Sequence, residues 1–257
     1  MKNKIVMITG SSGQIGQALV EAILRKEGKV VAIDLDNEIL REKLAKEGLI
    51  DENILFLNID ITNLEQVNQA YKEGIRKFGK ITTLINNAGT SVFTSWRNRT
   101  EDEIDLVTNV NLKGTFYCTR KLIECCMENN VKGVILNIAS HYGIISPDPR
   151  IYTDCDRRNS EIYGATKAGI IQMTKYFSTN AILDGADMRV NAIAPGGIYN
   201  PDDPQGEDFQ REYSSRCPMG RLGRTHEIIE PALFLISDKA SYINGHTLVV
   251  DGGMTAW

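Results

Sequence analysis

Ile5-Val6-Met7-Ile8-Thr9-Gly10-Ser11-Ser12-Gly13-Gln14-Ile15-Gly16 is an apolar run that ends in three glycines, at 10, 13 and 16. The apolar run reads as a strand, and Gln14–Lys26 carries its apolar residues at helical spacing. Glycines at a strand-to-helix turn let the backbone turn tightly and approach a pyrophosphate, which then rests on the helix N-terminus. The same alternation continues along the chain. Strand-like runs are expected at Ile5–Thr9, Lys29–Asp34, Ile54–Ile59, Thr83–Asn86, Gly133–Ala139, Arg189–Ala194 and Thr247–Val250. They are rich in Ile, Val and Leu with little polar alternation, as strands covered on both faces are. Helical patterns at Asn63–Phe78, Glu101–Asn129 and Glu161–Leu183 lie among them. This order predicts an α/β fold: a doubly wound, mostly parallel, seven-stranded sheet with helices on both faces. No linker, short-period repeat or low-complexity tract interrupts it, so residues 1–257 read as one dinucleotide-binding and catalytic domain.

The second strand ends at Asp34, 18 residues past Gly16. That is near the offset of about 20 expected for an acid that holds a ribose 2′-hydroxyl. A carboxylate there repels a 2′-phosphate, and no Arg or Lys occupies the glycine turn or directly follows Asp34. The expected cofactor is therefore NAD(H) rather than NADP(H). Asp60, after the third strand, suits either an adenine contact or a helix start before Asn63. Asn86-Asn87-Ala88-Gly89, after the fourth, suits either a nucleotide cleft or a simple turn. The absence of GKS or GKT leaves a Walker-type phosphate loop without support.

Tyr163-Gly-Ala-Thr-Lys167 places a phenol and an ammonium on one helix face, about 5–6 Å apart at Cβ. At an effective dielectric of about 20, such an ammonium favours the phenolate by about 3 kcal/mol. That corresponds to roughly two pKa units, from a free value of about 10, which would make the phenol a usable acid/base group.

Composition removes other classes. The net charge of −4 and the lack of a Lys/Arg-rich block argue against nucleic acid or an anionic membrane as main partner. Four apolar residues after Met1-Lys2-Asn3-Lys4 are too few for a signal peptide, and no segment has transmembrane length. The five cysteines show no CxxC spacing, as reduced thiols of a cytoplasmic protein would. His141, His226 and His246 share no metal-ligand spacing, so no metal site is suggested.

Taken together, Thr9-Gly10 with Gly13 and Gly16, Asn86-Asn87-Ala88-Gly89, Ser140, Tyr163-x-x-x-Lys167, Asn191-Ala-Ile-Ala-Pro195-Gly196 and Val250-Asp251-Gly252-Gly253 resemble the short-chain dehydrogenases/reductases. The resemblance spans essentially the whole chain and implies a Rossmann-type fold and interconversion of a secondary alcohol and a ketone. It implies Tyr163 as proton donor or acceptor, with Lys167 lowering its pKa and binding the nicotinamide ribose. Ser140 would hold the substrate oxygen, and Asn111 would support a water relay to the lysine. Cofactor contacts are implied at Gly10, Ser12, Gly13, Gln14, Ile15 and Gly16. Asp34, Asp60 and Ile61 would follow, then Asn87, Ala88 and Gly89. Pro195, Gly196 and Ile198 would approach the nicotinamide. The Tyr242–Trp257 segment resembles the part of the family that builds homotetramers, so a tetramer or dimer is expected.

Three features depart from the family pattern. The glycines follow GxxGxxG, as in extended members that act on nucleotide sugars, and Gln14 stands where a middle glycine is usual. A nucleotide-sugar epimerase or dehydratase with retained NAD is therefore one alternative, and a dinucleotide-binding module without turnover is another. Next, the insert at 141–162 between Ser140 and Tyr163 is longer than usual and polar. It predicts a small, hydroxylated or phosphorylated, sugar-like substrate, with Arg150, Arg157 or Arg158 as anion holders. Insert and composition together resemble dehydrogenases of bacterial sugar-modification pathways, including those serving flagellin glycosylation. Finally, Pro195-Gly196-Gly197-Ile198-Tyr199-Asn200 lacks the threonine often found after this proline. The turn-rich, acidic stretch that follows leads into Glu207–Arg216, and a substrate lid is expected over 197–217.

Overall fold

The computed structural model describes residues 1–2, 4–153 and 158–257. Seven strands form one parallel sheet: β1 (Ile5–Thr9), β2 (Lys29–Asp34), β3 (Ile54–Asn58), β4 (Thr83–Asn86), β5 (Gly133–Ile138), β6 (Met188–Pro195) and β7 (Thr247–Val250). Their spatial order is β3-β2-β1-β4-β5-β6-β7. Chain direction across the sheet reverses between β1 and β4, where Thr9 pairs with Asn86. A crevice opens at such a switch point, beyond the carboxyl ends of the strands.

Side-chain alternation divides the strands between two apolar layers. Met7, Val31, Leu84 and Ile135 point to one side, where α3 (Leu64–Phe78), α5 (Thr115–Glu128) and α6 (Glu161–Leu183) pack. Val6, Ile8, Val30, Ala32 and Leu136 point to the other. There they meet α1 (Gln14–Arg25), α2 (Glu38–Lys46) and α8 (Thr225–Ile236).

Element ends match the sequence reading to within one or two residues, with one exception. The helical pattern over Glu101–Asn129 is not one helix. It divides into α4 (Glu101–Thr108), a π-helical turn over Asn109–Gly114, and α5. The wider turn carries Asn111 inward to complete burial. Gly114 sits so close to Ile61 that a Cβ there would meet it at 2.6 Å. A π turn inside a helix rotates the following residues by part of a turn, so a straight helix would not point this asparagine inward.

After β5 the chain makes a 3₁₀ turn at His141–Gly143 that lies on the catalytic-helix candidate α6. Contact there is backbone to backbone: a Cβ at position 143 would sit 2.7 Å from the Lys167 carbonyl carbon. Gly143→Ala should therefore push the turn off α6. A loss of about 1–3 kcal/mol is expected for such overpacking, read as a fall of several degrees in Tm by calorimetry. An unchanged Tm would show that the turn has room to move.

Candidate active site

The glycine turn is built by close approach. Gly10 has φ of +66°, and a Cβ there would lie 2.7 Å from Ala88 Cα. A Cβ at Gly16 would lie 2.0 Å from the Gly10 carbonyl oxygen. Thr9 Oγ1 accepts from the backbone N–H of Asn87 and of Ala88, both at 3.1 Å, and Asn87 Nδ2 donates to Gly10 O at 2.7 Å. The ends of β1 and β4 are thereby locked side by side. Asp34 accepts from the Ser12 N–H and the Leu35 N–H, each at 2.8 Å, which fixes its carboxylate beside the turn.

These residues border a cleft of about 630 Å³. Gly10, Ser12, Gly13, Gln14, Ile15, Asp34, Asp60, Ile61, Asn87, Ala88 and Gly89 all line it, whereas Gly16 is packed behind the turn. Among the described residues, no Lys or Arg lines it. Asp60 does not cap α3: Asn63 does, accepting from Glu65 N and Gln66 N. Asp60 instead accepts from Thr62 N and Thr62 Oγ1, which leaves it on the cleft wall.

A larger hollow of about 800 Å³ lies between α1 and α8, away from Ser140, Tyr163 and Lys167. Gln14 runs along the boundary. Its Nε2 donates to Tyr199 O at 2.7 Å and to Thr225 Oγ1 at 2.9 Å. The residue that departs from the glycine pattern thus ties the start of α1 to the exit of β6 and the start of α8.

The cleft ends at Gly89, and Lys167 and Asn111 lie just beyond it. A Cβ on Gly89 would fall 3.2 Å from Lys167 Nζ and 3.4 Å from Asn111 Oδ1. Asn111 accepts from Thr90 N at 2.8 Å and donates to Thr90 O and Thr166 Oγ1, both at 3.0 Å. Ser160 caps α6 by accepting from Tyr163 N at 3.2 Å. Arg99, whose side chain is 3% exposed, grips Glu161 in the same first turn with two hydrogen bonds.

The Ser140 side chain lies close enough to the Tyr163 phenol to pull its pKa down. Because Ser140 Oγ accepts from Tyr142 N at 3.1 Å, its own O–H is free to donate. The lysine departs from the spacing argument. Its Nζ lies over the Tyr163 ring, 5.5 Å from the centroid, and donates to Ile138 O at 2.9 Å. Burial therefore dominates both groups. It lifts the Tyr163 phenol above the usual tyrosine range, against the pull of Ser140, and lowers the Lys167 ammonium to about 8.

Pro195 ends β6, and the predicted Gly196 and Ile198 line a small separate hollow of about 70 Å³ rather than the cleft. Gly196 N donates to Val250 O at 2.9 Å, and Ile198 bridges to Gly223. The Pro195 carbonyl is met by His141 Nδ1 at 3.0 Å. As a carbonyl only accepts, Nδ1 carries the proton. The imidazole is buried, which lowers its pKa, and its Nε2 has no partner.

The insert differs from the sequence reading. Arg150 is exposed and locked onto Asp148, which also accepts from Arg216 at the end of α7 (Glu207–Arg216). Ile151 and Tyr152 are buried with Phe209 and Tyr213 of α7. Polar composition hid two buried apolar anchors. Arg157 lies outside the described residues, and Arg158 donates its backbone N–H to Phe93 O at 3.3 Å. Thr166, Arg99 and His141 all support the site without having been singled out for it. Each is a buried polar side chain next to a motif residue or reaching one, which is the signal that marks them.

A lysine whose native pKa lies below its unfolded value of about 10.4 costs the native state most where both states are charged. Here that is below about 8, and the cost fades as pH rises toward the unfolded value. The cofactor-free protein should therefore gain stability relative to Lys167→Met between about pH 8 and about pH 10, by up to about 3 kcal/mol. Urea unfolding across that range measures it; parallel curves for the two proteins would show an unburied ammonium.

Comparison with known proteins agrees with this architecture. Residues 10–255 match the family model described as Enoyl-(Acyl carrier protein) reductase. The 3-oxoacyl-acyl-carrier-protein reductase FabG of Thermotoga maritima is 34% identical over 99% of this chain and 98% of that protein. L-rhamnose-1-dehydrogenase of Scheffersomyces stipitis is 30% identical over 99% and 96%. A crystal structure of a short chain dehydrogenase from Leptospira borgpetersenii with bound NAD+ superposes with a TM-score of 0.89 at 36% identity. That superposition covers 99% of this chain and 94% of the other. With the switch-point crevice, the glycine turn and the Tyr163–Lys167 helix already in place, the chain belongs to the short-chain dehydrogenase/reductase family.

Proposed function

We propose that this protein is an NAD(H)-dependent oxidoreductase that interconverts a secondary alcohol and a ketone on a polar, sugar-like substrate. The observation that carries the reading is the junction at Gly89, where the dinucleotide-sized cleft meets the buried Lys167 ammonium and its neighbour Tyr163. The cleft fits the cofactor: its turn leaves no room for a Cβ at Gly10 or Gly16, Asp34 offers a carboxylate for ribose hydroxyls, and among the described residues no cationic side chain lines it to meet a 2′-phosphate. A nicotinamide dinucleotide held there would supply the hydride chemistry.

The chain's own groups handle the proton and the oxygen. Ser140 donates its free O–H to the reacting oxygen. Tyr163 takes the hydroxyl proton during oxidation and returns it during reduction. Lys167, held by the Ile138 carbonyl, keeps N–H groups for a cofactor ribose and for stabilising a developing phenolate. Asn111 fixes the Thr90 backbone and the Thr166 hydroxyl around them. In this reading Pro195–Ile198 lie beside the nicotinamide, and 197–217 close over the substrate.

The sugar-like class rests on the polar residues of the insert and on a relative that is an L-rhamnose dehydrogenase. FabG, equally close in coverage, acts on acyl chains by its name, so a substrate panel decides. A cytoplasmic location is supported by the described cysteines, all free and buried; no helix among the described residues is long and apolar enough to cross a membrane. A homo-oligomer, tetramer or dimer, is supported by large apolar side chains left exposed, among them Leu106, Phe116, Leu183, Phe234, Tyr242 and Trp257. Light scattering on the purified protein tests it.

Tyr163→Phe should lower kcat by about 10²–10⁴-fold with NADH affinity nearly intact. Equal loss of both would assign the tyrosine to folding. With its pKa raised by burial, the phenol is a better base at higher pH. Alcohol oxidation should therefore accelerate, and ketone reduction slow, from about pH 7 to about pH 9; the opposite slopes would exclude Tyr163 as the proton carrier. Steady turnover of steroids or long acyl substrates with sugars inert would reject the sugar-like class.

A further inference from the structure

The loop that leaves β4 passes Thr90, on the wall of the cleft, and ends at Arg99, just ahead of α4. It is sewn in three places to the stretch that enters α6. Ser91 Oγ donates to Asn159 Oδ1 at 3.3 Å, and the Arg158 N–H donates to Phe93 O at 3.3 Å. Arg99 closes the seam on Glu161, the first residue of α6. Its Nε donates to Oε1 at 3.1 Å and its Nη2 to Oε2 at 3.3 Å. Nη1 donates to Thr94 Oγ1, and that hydroxyl donates in turn to Glu103 Oε1 at 2.7 Å.

This guanidinium stands in a costly place. Its side chain is 3% exposed, and it lies beside the first turns of both α4 and α6, where the helix dipoles disfavour a cation. Neither helix needs it as a cap. Thr100 accepts from Glu103 N, and Ser160 accepts from Tyr163 N. What the fork adds is geometry: two N–H bonds to one carboxylate fix distance and angle together, which a point charge does not. The Ser160 bond makes Tyr163 part of the turn so held. The other end of the loop is fixed as well, because Asn111 accepts from Thr90 N and donates to Thr90 O. Arg99 therefore joins the cofactor wall to the backbone that carries the phenol.

We infer that Arg99 is a positioning residue for the reaction: through its fork on Glu161 it sets the Tyr163 phenol at its working distance from the cofactor wall at Thr90, and so speeds the chemical step. The inference rests on the proposed role of Tyr163 as proton carrier. It goes beyond that role by naming what holds the carrier in place.

The test is stopped-flow single turnover of the intact protein with bound NADH and saturating 2,3-butanedione, whose adjacent carbonyls activate each other toward hydride. The rate of NADH loss reads the chemical step, and its amplitude reads the fraction of competent sites. Arg99→Met, Arg99→Lys, Glu161→Gln and the double variant Arg99→Met/Glu161→Gln are compared with wild type, and calorimetric titration gives each Kd for NADH. Every single variant should slow the turnover by about tenfold or more, the scale on which small misplacements of reacting groups act. Amplitude and NADH Kd should stay as in wild type. The double variant should be no slower than the slower single, since the same link is broken in each. A lowered amplitude at an unchanged rate would overturn the inference in favour of a folding role. Recovery of the full rate in Arg99→Lys would overturn it in favour of charge alone. Losses that multiply in the double variant would overturn it by showing that Arg99 does not act through Glu161. A wild type that binds NADH yet leaves the dione unreduced would reject the proposed reaction and take the inference with it. That outcome is distinct from an active wild type whose variants turn over equally fast, which rejects the inference alone.

Discussion

An ammonium held on the last carbonyl of β5 governs this structure. Lys167 is 3% exposed, and its bond to Ile138 O at 2.9 Å is the support that keeps a cation in a dry place. Burying a charge is expensive unless its partners are well placed. The surroundings are shaped accordingly. Gly89 leaves room for Nζ, Gly143 lets the turn after β5 touch the lysine backbone, and the π turn swings Asn111 into the remaining space. Each is a concession of local regularity to one side chain. The same dryness explains why Tyr163 and Lys167 are both pushed toward their neutral forms.

The far wall of the site is held differently. Gln14 joins the glycine turn to Tyr199 and Thr225, and Tyr213 takes the Gly197 N–H. Asp148 in the insert meets Arg216 of α7, while Ile151 and Tyr152 bury themselves against the same helix. Cofactor turn, β6 exit and α7 are therefore mechanically one assembly. Both Asp148 ion pairs are partly exposed, so packing of Tyr152, Phe209 and Tyr213 contributes more than they do.

Much of this was readable from the residues alone, and what was not has identifiable causes. The doubly wound parallel sheet followed from apolar runs alternating with helical patterns, because parallel strands covered on both faces leave a strong signature. Helix α6 was visible to its last residue, since Ser160 and Asp184 flank it with polar ends. The π turn was invisible because its residues keep helical dihedrals at both flanks. Arg150 looked like an anion holder only as long as Asp148, two residues earlier, was not seen to claim it. The effect of Lys167 on Tyr163 was misjudged because helical spacing fixes Cβ positions, whereas Nζ turned toward Ile138. Gln14 was a mere irregularity until its two long-range acceptors appeared.

The strand order has a consequence for how the polypeptide comes into being. β1 lies third across the sheet, and its neighbour toward the centre is β4, which is complete only at Asn86. Emerging from the ribosome, the first βαβαβ unit can collect β1, β2 and β3 but leaves one flank of β1 bare. Such an open flank invites pairing with other chains until β4 arrives. The right-hand half, β5 to β7, closes last, at Val250. Nascent chains halted before that point would expose the edge of β6, and chaperone demand should concentrate in this late window of synthesis.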